Sequence, residues 1–138
     1  MEARISFITL GVGDLPRATR FYADVLGLPQ MPTPPTVSFF RMGPTVLALW
    51  PRSELAADAG LPGAAGAAPV PGGFAGFALA HNVRSPAEVD ALLTLVGSQG
   101  GTVTKPGGPT FWGGYAGYFA DPDGFLWEVA YNPDLPIP

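Results

Sequence analysis

The apolar positions of this chain fall into two similar series. Arg4–Val12 (RISFITLGV) is apolar nearly throughout and reads as a buried strand. Asp14 then offers a helix cap, with Pro16 tolerated in the first turn. Ala18, Phe21, Tyr22, Val25 and Leu26 recur at helical spacing, and Gly27 ends the helix. Leu28–Pro35 holds several prolines and reads as a loop. Thr36–Met42 and Thr45–Trp50 are short strands about Gly43-Pro44, a hairpin signal.

The second series repeats that order. Phe74–Val83 is an apolar strand, and Ser85-Pro86-Ala87-Glu88 is a capping box. Val89, Leu92, Leu93 and Val96 supply the helical stripe, which stops at Gly100-Gly101. Thr102–Lys105 reads as a short strand. Tyr115–Ala120 and Phe125–Tyr131 are strands joined by Asp121-Pro122-Asp123-Gly124, a tight-turn sequence. Val12 and Asp14 ahead of the first helix return as Val83 and Ser85 ahead of the second, at the same spacing. The repeat predicts an α+β fold of two strand–helix–strand–strand(–strand) modules. Each has one bare sheet face, and pairing the two would curve the sheets about a cleft. The chain is expected to be one domain, 1–138, with halves at 1–50 and 74–138. Residues 51–73, rich in Gly, Ala and Pro with a short helix at Ser53–Ala59, are expected to link them.

Composition narrows the function. Of 138 residues, 47% are hydrophobic and 13% charged, which excludes a disordered charged tail. Seven Lys and Arg face eleven Asp and Glu, and the one lysine is Lys105. With no basic cluster, no nucleic-acid partner is expected. No cysteine is present, so there is neither a thiolate nucleophile nor a Cys-ligated metal. No apolar run reaches the length of a membrane span, and MEARISFITL does not read as a secretion signal. Residence in the cytoplasm, without membrane attachment, is expected.

Over nearly its whole length the chain resembles the vicinal oxygen chelate superfamily of glyoxalases, extradiol dioxygenases and bleomycin resistance proteins, most strongly towards its two ends. The pieces that carry the likeness are Gly11-Val12-Gly13-Asp14-Leu15 with Arg17, Phe21, Tyr22 and Leu26-Gly27, and Phe119-Ala120-Asp121-Pro122-Asp123-Gly124-Phe125-Leu126-Trp127-Glu128. The resemblance implies two βαβββ modules forming a U-shaped mixed sheet around a cleft, with helices on its outer face. It also implies a homodimer. In metal-using members, four cleft positions bind a divalent ion; here they fall on Phe7, at or beside Ala48, near Gly76, and on Glu128. Only Glu128 carries a ligand side chain, far short of a catalytic site, so no metal or other cofactor is expected.

Glu128 alternates with Trp127 and Val129. If those two pack on a helix, Glu128 faces the cleft, with Arg41 as a candidate partner. Phe7, Trp50, Trp112, Tyr115 and Phe119 are candidates to wall an apolar pocket, alongside Phe39 and Tyr118. Gly113, Gly114 and Gly117 would leave it room. Thr9 could offer a hydroxyl. His81, the only histidine, alternates away from that face and reads as structural. These residues suit a small-molecule-binding protein that works without a metal. Two alternatives stay open: a glyoxalase- or dioxygenase-like enzyme using Glu128 as metal ligand or general base, and a non-catalytic interaction module.

Overall fold

The computed structural model describes residues 1–61, 73–135 and 137. The chain divides into two compact units, Met1–Ala68 and Pro69–Pro138.

In the first unit, β1 (Phe7–Val12) leads to α1 (Leu15–Arg20), β2 (Gln30–Met31), β3 (Ser38–Met42), β4 (Thr45–Pro51) and α2 (Arg52–Asp58). The sheet order is β1-β4-β3-β2, with β1 parallel to β4 and the rest antiparallel. The Asp14 carboxylate caps α1 by accepting from the Arg17 amide at 3.0 Å. The helix then widens into a π turn, Phe21–Val25, closed by Leu26 N–H on Phe21 C=O at 3.0 Å. Gly27, at φ +68°, ends it as expected. Leu10, Val12, Phe40, Leu47 and Leu49 are buried beneath α1 and the π turn, together with Ala18, Phe21 and Tyr22. Tyr22 meets Phe40 at a ring separation of 6.0 Å, and Thr19 and Ser38 share a hydroxyl hydrogen bond of 2.8 Å.

The second unit repeats the plan with β5 (Leu79–Val83), α3 (Pro86–Ser98), β6 (Thr102–Pro109), β7 (Tyr115–Ala120) and β8 (Leu126–Tyr131). Its sheet order, β5-β8-β7-β6, mirrors that of the first. Ser85 caps α3 by accepting from Glu88 N–H at 3.2 Å, while the Glu88 carboxylate accepts from Arg84 N–H at 3.0 Å. Val89, Leu93 and Val96 of α3 are buried with Phe119, Trp127 and Val129 of the sheet. The two modules thus carry the βαβββ order that the repeat predicted.

Four boundaries differ from the sequence reading. The loop 28–35 contains β2, whose two residues pair with Phe39 and Phe40. Pro51 still belongs to β4 and residues 52–58 form α2, so the first unit extends past residue 50. The remainder of the expected linker, 62–72, lies outside the described residues. β5 begins at Leu79 rather than Phe74, because Gly76 sits at φ +91°, a left-handed turn that an extended strand cannot contain. β6 continues beyond Lys105 to Pro109, held to β7 through two register shifts.

Candidate functional site

Each sheet has one face under its main helix and one open face. In the first unit, register places Phe7, Thr9 and Gly11 with Val46, Ala48 and Trp50, and with Phe39 and Arg41, on the face opposite α1. Phe7, Thr9, Thr36, Val37, Phe39, Ala48 and Trp50 line a cavity of about 350 Å³ there. Phe7 and Phe39 meet edge to face at 5.4 Å. α2 covers the Gly11 end of the same face: a Cβ at Gly11 would meet Arg52 and Leu55, and Arg52 donates to Gly11 C=O at 3.3 Å. Of the expected site residues, Phe7, Thr9 and Trp50 are therefore brought together. Arg41 shares their face but is solvent-exposed and does not line the cavity.

In the second unit the alternation about Glu128 holds. Trp127 and Val129 are buried against α3, and Glu128 lies on the open face. Across the sheet it stands in one row, with Ala80 on β5 to one side and Tyr118 on β7 to the other. Tyr118 pairs in turn with Lys105 on β6. Glu128, Tyr118, Lys105 and Trp112 line a cavity of about 190 Å³ with Gly108 and Ala116. Gly108 stands opposite Ala116, and a Cβ there would meet nothing within 4 Å. Small residues leave the space, and charged and aromatic ones surround it.

Lys105 was not legible as a site residue. Simple alternation would put it with Val103, which packs beside Gly97 on the α3 side. A register shift between Val103 and Lys105 turns Lys105 to the open face instead. Burial raises the Tyr118 pKa above the ordinary phenol value, and the neighbouring Glu128 charge and hydrogen bonding raise it further.

Two expected wall residues lie elsewhere. Phe119 is 1% exposed on the α3 face, stacked parallel to Trp127 at 6.2 Å. Tyr115 also points toward α3, donating to the Asp90 carboxylate at 2.9 Å, which raises its pKa. Both have odd numbers in a strand whose even positions, Ala116 and Tyr118, face the cavity. The glycines divide as well. Gly114 admits the Trp112 ring over its backbone, whereas Gly117 admits Leu93 of α3. His81 pairs with Val129, away from the Glu128 face, as the alternation suggested.

Residues 4–129 match the model of the glyoxalase/bleomycin resistance protein/dioxygenase superfamily. The chain belongs to this superfamily. A glyoxalase-related enzyme from Fulvimarina pelagi is 38% identical, with a TM-score of 0.87 over 99% of this chain and 93% of its own. A lactoylglutathione lyase from Agrobacterium tumefaciens is 27% identical, with a TM-score of 0.70 over 100% of each chain. A glyoxalase/bleomycin resistance protein/dioxygenase family enzyme from Burkholderia phytofirmans shares the fold at 19% identity, with a TM-score of 0.78 over 94% of this chain and 98% of its own. No curated protein matches the chain.

The divalent ion of metal-using superfamily members does not fit the residues present. Ala80 rather than Gly76 stands opposite Glu128, and Thr9 rather than Phe7 stands opposite Ala48. Neither correction adds an imidazole or a carboxylate. Among the described residues no group of three His, Cys, Asp or Glu side chains could hold a metal. One carboxylate and one hydroxyl fall below the three protein ligands of a catalytic divalent site. Among the described residues, too, no helix is long and apolar enough to cross a membrane.

Proposed function

We propose that this member of the superfamily is a metal-independent small-molecule-binding protein, with Glu128 as the polar anchor of its ligand. The observation that carries the reading is the setting of Glu128. It lies on the open face of its sheet, in a cavity walled by Tyr118 and Trp112, with no second metal-ligating side chain in register beside it. The aromatic cavity around Phe7, Phe39 and Trp50 offers apolar contact area of the same kind. A cytoplasmic homodimer that binds neither nucleic acid nor membranes completes the proposal. The exposed apolar side chains of the open faces, such as Phe7 at 51% and Trp112 at 38%, are surface that a second copy would cover.

Native mass spectrometry of the purified full chain tests this reading. The expected spectrum is a metal-free dimer with an organic adduct that Glu128→Gln releases while the fold is kept. One divalent metal per subunit, removed by a chelator with loss of an activity, would overturn it.

One observation favours a second reading, proton transfer by Glu128 as general base. Tyr118 stands directly opposite, a phenol able to share a proton with that carboxylate. An activity that survives exhaustive chelation and disappears in both Glu128→Gln and Tyr118→Phe would favour it over simple binding.

A further inference from the structure

The cavity of the second unit carries both signs of charge. Lys105 and Glu128 lie on the two strands flanking β7, in one transverse row with Tyr118 between them. Two strand spacings separate their backbones by roughly 9.5 Å. Both side chains line the same cavity, yet among the described residues neither forms an ion pair. The bulge at β6 turns Lys105 to this face, and bulges commonly re-aim a side chain in this way. Tyr118 stands between the two charges, and beside that row Trp112 lies over Gly114 while Gly108 and Ala116 leave open space, so aromatic rings and room adjoin both charges. A cavity of about 190 Å³ is a little larger than the roughly 150 Å³ that accommodates one benzene ring.

We infer that the ligand of this cavity is a zwitterion: a single flat ring or similar apolar body with an anionic group at one end for Lys105 and a cationic group at the other for Glu128. The inference rests on the binding reading above and specifies its ligand class. Two opposite charges held apart discriminate in both directions. A ligand lacking its anion leaves Lys105 uncompensated, and one lacking its cation leaves Glu128 so. Tyr118 supplies a hydroxyl beside the carboxylate and a ring face beside the ligand body.

Calorimetric titration of the full chain with three probes tests it: 4-(aminomethyl)benzoate, 4-methylbenzoate and 4-methylbenzylamine. The zwitterion is expected to bind about tenfold or more tightly than either singly charged probe, the size of one charge-assisted contact. Lys105→Met should bring the zwitterion down to the level of the amine. Glu128→Gln should bring it down to the level of the benzoate. Either variant must keep the parent circular dichroism spectrum, and both sites are on a solvent-accessible face, so folding is expected to survive. If a singly charged probe binds as well as the zwitterion and still depends on Glu128, the zwitterion assignment fails and the binding reading stands. If none of the three binds up to millimolar concentration, both fail for this cavity.

Discussion

Tyr118 and Glu128 face each other across the β7–β8 ladder, a phenol directly opposite a carboxylate on the open side of the sheet. Burial and the neighbouring negative charge both favour the neutral phenol, so the Tyr118 pKa is raised. The sign of the linkage follows. The unfolded chain ionises this tyrosine from about pH 10, before the folded one does. The stabilisation is complete below that value and is lost as pH rises toward the folded pKa. Absorbance titration of tyrosinate should show one group moving to lower pH in Glu128→Gln, though not fully to the ordinary value, because burial remains. Identical titration curves for parent and variant would mean the pair is not coupled.

Tyr115 provides a control on the opposite face. Its hydroxyl donates to Asp90 of α3 at 2.9 Å, and that hydrogen bond is the main cause of its raised pKa. Asp90→Asn should lower the Tyr115 pKa and leave probe binding at Glu128 unchanged. A change in binding would show that the two faces of β7 are not independent.

At Gly117 α3 packs closely on the sheet. A Cβ there would collide with Leu93 and with the backbone of Lys105 and Gly107. The collision partners include backbone, which cannot rotate aside. Gly117→Ala should therefore destabilise the fold by about 1–3 kcal/mol, as overpacking does. Urea denaturation would measure it, and a loss under about 0.5 kcal/mol would show that α3 can shift outward, as a surface substitution would.

The β7–β8 turn depends on a buried carboxylate. Asp121 is 3% exposed, and one of its oxygens accepts from Asp123 N–H at 2.9 Å and Phe125 N–H at 2.8 Å. Asp121→Ala leaves both amides without that partner and should cost about 1–3 kcal/mol in thermal or urea unfolding. Asp121→Asn keeps one oxygen acceptor and should cost less. Equal losses for the two would assign the effect to charge instead.

Gly108 tests the space itself. Nothing lies within 4 Å of a Cβ placed there, so a larger side chain would grow into the cavity rather than into the core. Gly108→Leu should leave the melting temperature close to that of the parent and abolish binding of the zwitterionic probe. Undiminished binding would place the ligand elsewhere.

Much of this architecture was written in short-range pattern. The caps at Asp14 and Ser85, the stop at Gly27 and the Asp121–Gly124 turn act through hydrogen bonds a few residues long, so local sequence specifies them. The inward set of β8 followed from alternation, since Trp127 and Val129 need a helix above them and Glu128 does not. Strand period also separated His81 from Glu128. What tertiary structure alone decided is pairing. The two-residue β2 exists only because Phe39 and Phe40 lie beside it. Phe119 and Tyr115 read as pocket aromatics by composition, but the register of β7 against β8 assigned them to the α3 side. Lys105 reached the cavity through a bulge, an extra residue in one strand relative to its partner, and no single strand records that mismatch. Local hydrogen bonding is encoded where it occurs, whereas register is a relation between distant segments, settled only when their apolar faces are buried together.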